Sequence, residues 1–341
     1  MRRDNSSAAD KPAQTAPDAE SLRTKRPRLS GLIVGAIALA GLFAFVFHVG
    51  DIGAFAEVAL KTEPRWLAFA IVAQILAFAT QALVWAIVLR RRGAGVRAAD
   101  LLALSIGKLF ADQAIPSAGV SGAFFFVHAL SRRGVPPADA FTAFVFGASS
   151  FILAFAIFAA GALAILAFSG GPLDRFALNI SDIHYLAIAS LLLVFAALVF
   201  YAASQGIGPL RRDLIAKARE TVARAFRLIY VERGLFAVCL LLQALARILD
   251  GVTLWIAFQA LGGDLNLLAA VTAVSLASLA ATIAPTPMGL GSFEAGLIAA
   301  LSTLGHGIET SLAGGLIYRG LSLGLPLAIG FVIVQRELLR K

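Results

Sequence analysis

Apolar residues fill this chain in long runs, and polar residues collect where the runs end rather than alternating inside them. Roughly 20 apolar residues cross the hydrocarbon of a bilayer. Six runs reach that length: 31–49, 66–89, 138–168, 184–204, 235–259 and 310–335. Two regions depart from the pattern. Segment 101–133 is two apolar pieces parted at 116–122, Pro-Ser-Ala-Gly-Val-Ser-Gly, and segment 266–304 is parted in the same way at 285–291. Each piece is too short to span, so the spacing predicts two re-entrant helical hairpins. Broken backbone at membrane depth is tolerated only where protein buries it or it lines a cavity.

Composition agrees with an all-α polytopic membrane protein: of 341 residues 59% are hydrophobic and 14% charged, with mean hydropathy +0.85. That profile excludes an ordinary soluble domain. The single cysteine, Cys239, excludes a disulfide framework and a thiolate metal site. His48, His128, His184 and His306 show no ligand spacing, so no metal or other cofactor is expected. A net charge of +9 in so apolar a chain points to anionic headgroups as partners, not nucleic acid.

Residues 1–30 are polar and basic without apolar periodicity, and read as a disordered tail. A signal peptide cleaved after Ala54-Phe55-Ala56 is the rival reading; the leader is too long for it, and the first apolar run is span-sized. With the tail placed in the cytoplasm, 23 Lys and Arg fall in inside loops and 3 (Lys61, Arg65, Arg175) outside, as the positive-inside rule requires. Lys108, Arg247 and Arg319 remain at membrane depth. The count holds if each broken segment returns to its side of entry or crosses as two short helices. The expected location is a bacterial inner membrane with both termini cytoplasmic. Segment 207–233 has apolar residues at helical spacing among Arg212, Lys217, Arg219, Arg224 and Arg227. It reads as a basic amphipathic helix on the inner leaflet, a connector between halves or a regulatory element.

Landmarks recur at a nearly constant offset: Gln74 and Gln243 by 169, Trp85 and Trp255 by 170, Gly119 and Gly289 by 170, Pro116 and Pro287 by 171, Gly134 and Gly305 by 171. Two copies follow, 31–170 and 171–338. Each holds three spans plus one re-entrant hairpin. An odd number of crossings inserts the copies in opposite senses, an inverted repeat of the kind that builds transporters.

Candidate chemistry gathers at the breaks. Glu294 falls in the first turn after the second break, where the helix dipole favours a carboxylate and Ser292 is placed to cap. Exposed N–H groups at such an end also bind anions. The candidate substrate-binding set is therefore Pro287, Gly289, Gly291, Ser292 and Glu294 at one break, with Pro116, Gly119 and Gly122 at the other. Arg319, mid-span, is the expected partner of Glu294, because an unpaired buried Arg is costly. Arg247 and Asp250 share a helix face, either as a fold-locking pair or as substrate ligands. Lys108 and Asp112, four apart, read as a structural pair. His128 and Phe124, Phe125 and Phe126 read as packing or lipid contacts, and Gln74 and Gln243 as interhelical hydrogen bonders. No Ser-His-Asp constellation, P-loop or dinucleotide fingerprint is present, so a transporter is expected rather than an enzyme.

At these motifs the chain resembles the flippase-like family, also described as the lysylphosphatidylglycerol synthase transmembrane region. The family's P-x-P-x-G-x-G-x-x-E, later Gly, Y-R, and later Pro and Gly correspond here to Pro285, Pro287, Gly289, Gly291, Glu294, Gly305, Tyr318, Arg319, Pro326 and Gly330. The first-half pattern corresponds to Pro116, Gly119, Gly122, Arg132, Gly134 and Val135. The likeness covers roughly 31–338. Two departures stand in the first half, where Phe124, Phe125 and Phe126 and the stretch 147–150 replace charged residues frequent in the family. The aminoacyl-transfer domain of full-length synthases is not in this sequence. The resemblance implies movement of a lipid or lipid-linked molecule between leaflets; relatives are linked with aminoacylated phospholipids, isoprenoid-linked glycans and hopanoid pathways. A non-catalytic membrane subunit of a lipid- or glycan-modifying enzyme is the alternative, and an ion-coupled carrier for a soluble anion is a third.

Overall fold

A computed structural model describes residues 63–114, 119–168, 227, 229–284 and 287–339. The N-terminal tail, the runs at 31–49 and 184–204, most of segment 207–233, and Pro116 lie outside the described residues. In chain order the helices are α1 (Pro64–Arg91), α2 (Ala98–Ala114), α3 (Val120–Ser131), α4 (Pro137–Phe168), α5 (Arg233–Ala260), α6 (Leu267–Ile283), α7 (Ser292–Thr303), α8 (Ile308–Arg319) and α9 (Leu325–Leu339). A short turn, Pro287–Gly289, precedes α7, and a π-helical turn, Gly320–Gly324, runs α8 into α9. No strand occurs among the described residues. α1, α4, α5 and the α8–α9 unit are long and apolar enough to cross a membrane.

Both broken segments fold as expected into a helix of 17 residues and one of 12. In the first, Ser121 donates back to the Ala111 carbonyl at 2.9 Å. In the second, α7 lies against α6 closely enough that a Cβ on Gly296 would fall 2.7 Å from the Ala280 methyl. Each pair is thus a back-folded hairpin.

Boundaries follow local chemistry. Pro64 opens α1, where its missing N–H costs nothing. The Asn266 side chain accepts the Ala269 N–H at 2.8 Å and starts α6. Arg90 and Arg91 close α1 against the negative end of its dipole.

The side facing other helices is marked by small residues rather than by greater hydrophobicity. On α1, Ala70, Ala73 and Ala77 are buried, whereas Phe69, Val72 and Leu76 are about half exposed and form the lipid-facing stripe. Small residues let helix backbones approach where lipid offers no hydrophobic drive to associate. α1 packs most extensively on α5. Gln74 pairs with Asp250 and Gln81 with Gln243, so the two helices run antiparallel.

One end of the bundle is tied by charge. Arg92 Nε meets Asp139 at 2.8 Å, and Arg133 makes a two-pronged contact with Glu337 at 2.6 and 2.8 Å. The α1–α2 connection, the α3–α4 connection and the end of α9 are thereby gathered together. The hydrogen-bonded Glu337 carboxylate raises the Arg133 guanidinium above its ordinary value, with partial burial opposing. The last turn of α5 meets the α7–α8 connection instead, with His306 edge-on to Phe258 at 6.0 Å.

Candidate functional site

The second break is built around Glu294. Gly291 caps α7 with φ +79, a left-handed value open to glycine at little cost. That turn lets the Gly291 N–H donate to Glu294 Oε2 at 2.7 Å. The other oxygen, Oε1, accepts from Arg319 Nε at 2.9 Å. Arg319 also donates to the Met288 carbonyl at 3.0 Å, and its guanidinium lies 4.7 Å from the Phe293 ring centre. Met288 has φ +58, a strained value for a residue with a side chain. Ser292 does not cap the helix as the sequence suggests; its hydroxyl donates to the Gly289 carbonyl at 3.1 Å. The structure therefore brings Gly289, Gly291, Ser292, Glu294 and Arg319 into one cluster. Pro287 is in the turn beside them. An internal carboxylate occupies the kind of N-terminal donor set that binds anions, with a guanidinium alongside.

The first break reaches a similar arrangement with different residues. Gly119 caps α3 with φ +86, so its structural counterpart is Gly291, not the Gly289 that the sequence offset pairs it with. No acid follows it in α3. Instead Asp112, near the end of α2, accepts the Gly122 N–H at 2.9 Å. Lys108 holds the same carboxylate at 2.6 Å and lies 5.7 Å from the Phe144 ring centre. Gly122 is required for this: an added Cβ would overlap the Asp112 carboxylate. The charge missing from α3 is supplied by the preceding helix, and it holds the same helix terminus.

A third polar group sits at the α1–α5 crossing. Arg247 approaches Asp250 at 3.5 Å, and Gln74 Nε2 donates to Asp250 at 3.4 Å. The Arg247 guanidinium lies 4.7 Å from the Phe151 ring centre and 5.9 Å from that of Phe155, both on α4. Tyr318, buried and next to Arg319 in the chain, is within electrostatic range of Asp250, Arg247 and Arg319, and it stacks on Phe293 at 5.6 Å. An apolar groove of about 300 Å³ also opens between α1 and α5, lined by Trp66, Phe69, Leu76, Leu249 and Trp255 among others, with none of the break residues.

A family model described as the lysylphosphatidylglycerol synthase TM region matches residues 30–330. The chain belongs to that family. No curated protein matches the sequence. Membership in the lysylphosphatidylglycerol synthase TM-region family, together with the apolar helices, makes this a membrane protein related to lipid modification or translocation.

Within this family member, the Glu294–Arg319 pair is where the sequence places it. The Lys108–Asp112 pair forms as its spacing suggests, but the hold of Asp112 on α3 and the role of Gln81 are not visible in the sequence. An i, i+4 acid–base pair looks self-sufficient, and only the back-folding of α3 shows that Asp112 also holds a helix terminus. His128 is exposed and stacks on Phe124 with ring centres 5.9 Å apart, a packing contact. Gln243 bonds Gln81 at 2.8 Å, the interhelical role expected of it.

Proposed function

We propose that the chain is a lipid translocase of the bacterial inner membrane, moving an anionic phospholipid or lipid-linked intermediate between leaflets, with both termini cytoplasmic. The observation that carries this reading is the Glu294 carboxylate held by the Gly291 N–H and Arg319 at a broken helix. A phosphate headgroup competes for those same donors. In the resting state Glu294 fills the site and neutralises Arg319. When a headgroup arrives, Arg319 and the α7 terminus transfer to it, and charge-assisted bonds of this kind are roughly twice as strong as neutral ones. The acyl tails remain in lipid, with the α1–α5 groove offering them an apolar track.

The architecture that serves this cycle is an inverted repeat, 31–170 and 171–338, with one hairpin opening to each side. Two features support it. α1 and α5 are corresponding helices, yet they run antiparallel. Helix pairings also recur between halves: α2 packs on α3 as α6 does on α7, and α2 on α9 as α6 does on α4. The set proposed to line the path is Pro116, Gly119, Gly122, Pro287, Gly289, Gly291, Ser292, Glu294, Arg247, Asp250 and Arg319. No chemical transformation and no cofactor enter the cycle, so the reading is of a transporter and not an enzyme.

The test is leaflet exchange of labelled phosphatidylglycerol in proteoliposomes. Glu294→Ala and Arg319→Ala should abolish exchange while the protein stays monodisperse. Wild-type rates in both variants would refute the site. The family description, which names a synthase, favours a second reading as a non-catalytic membrane subunit of a lipid- or glycan-modifying enzyme. A stable soluble partner that co-purifies, combined with no exchange by the chain alone, would decide for it.

A further inference from the structure

The α1–α5 crossing holds two polar nodes, and only one of them carries charge. The offset of 169 that takes Gln74 to Gln243 also takes Gln81 to Asp250. The antiparallel crossing then joins each residue to the other's counterpart: Gln74 to Asp250, and Gln243 to Gln81. The two nodes occupy matching places, one neutral and one acidic. Gln81 is an uncharged hydrogen-bonding side chain at the place that matches Asp250.

We infer that Asp250 is a proton-binding site, and that protonation there couples lipid movement to a proton gradient. This rests on the translocase reading and adds its energy source. Three features carry it. First, the Arg247–Asp250 contact is loose at 3.5 Å, against 2.9 Å for Arg319–Glu294 and 2.6 Å for Lys108–Asp112. Arg247 lies over Phe151 and Phe155 at the same time, so it keeps those ring contacts when Asp250 becomes neutral.

Second, Gln74 is 1% exposed, and its Oε1 has no hydrogen-bond partner among the described residues. Its Nε2 donates to the ionised carboxylate. A half-turn of the amide presents Oε1 to accept the O–H of the protonated acid. One side chain thus serves both states. Third, Asp250 is the only acid at the crossing among the described residues. α1 has no ionisable residue between Arg65 and Arg90, α4 none beyond Asp139, and α6 none at all. The groups facing Asp250 are Arg247 on its own helix, Gln74 on α1 and Tyr318 on α8.

The step is a proton transfer. A proton from water on one side forms the Asp250 O–H, and the carboxylate charge is lost. Arg247 keeps its positive charge without a counter-ion and attracts the anionic headgroup. Release of the proton to the other side restores the ion pair and expels the headgroup.

The experiment uses the full chain in lipid nanodiscs and in proteoliposomes. In nanodiscs, the infrared C=O band of a protonated carboxyl is followed as pH is raised. A titrating band absent from Asp250→Asn and shifted in Asp250→Glu is expected; no such band would overturn the proton site whatever the transport result. In proteoliposomes, a pH gradient should raise wild-type exchange of labelled phosphatidylglycerol severalfold, and Asp250→Asn should lose that acceleration. Exchange unaffected by the gradient, or accelerated equally in Asp250→Asn, would overturn the coupling. A titrating band with no exchange by wild type would overturn the translocase reading and coupling together, and leave the proton site standing.

Discussion

The Asp112 carboxylate sits on the backbone N–H of Gly122 at 2.9 Å, filling the space a Cβ would need. Gly122→Ala should therefore displace the acid or part α2 from α3, at a cost of about 1–3 kcal/mol typical of overpacking. Asp112→Ala removes the obstacle, so the double variant should be less destabilised than the sum of the single ones. Thermal unfolding in detergent checks both. Additive losses would show that the two residues do not meet.

The pair at the second break makes a sharper test. Arg319→Ala leaves the partly buried Glu294 without its cation and should lower the melting temperature without unfolding the protein. Glu294→Gln added to Arg319→Ala removes the orphaned charge and should recover much of that loss. The readout is melting temperature. Exchange activity should not recover, because the cation that holds the headgroup is gone.

Gln243 and Gln81 bond at 2.8 Å across the crossing. Hydrogen bonds between membrane helices contribute about 0.6 kcal/mol on average and up to about 1.7. A double-mutant cycle with Gln81→Leu and Gln243→Leu should return a coupling in that range. A value of zero would remove this node from the account of how α1 and α5 recognise each other.

Gly251 brings α5 close to α6: an added Cβ would fall 2.9 Å from the Val271 Cα and overlap the Val271 side chain. Gly251→Ala should destabilise by about 1–3 kcal/mol. Val271→Ala should restore little of this, because the obstruction includes backbone. Full rescue in the melting temperature would contradict the close approach.

The inverted arrangement is open to direct labelling. Cys239 is buried, so single cysteines can be read against a quiet background. Cysteines replacing Arg92 and Arg132 should react with impermeant reagent from one side of oriented vesicles, and those replacing Gly262 and Gly305 from the other. Labelling of all four from one side would end the inverted reading.

Much of this was legible in the sequence because crossing a bilayer is a constraint on length and polarity. The long apolar runs on described residues became long helices, and both breaks became back-folded hairpins. Glu294 and Arg319 were readable as a pair because a charge at membrane depth must find a partner, and few charges were available. The Ser292 cap failed because Gly291 supplies the turn itself. In capping role Gly119 corresponds to Gly291 rather than to Gly289.

What the sequence alone determined is where the chain is apolar enough to span, where its helices stop, and which buried charges need a counter-ion. Tertiary structure decided which faces meet. Lipid-facing and helix-facing positions are equally apolar, so hydropathy does not separate Phe69 from Ala70. Only packing shows that small residues bring α1 and α5 together antiparallel. That crossing sets Asp250 against Gln74 and Gln81 against Gln243, and the folding back of α3 puts Asp112 on Gly122. Such contacts depend on backbone approach in three dimensions, which no one-dimensional pattern of polarity encodes.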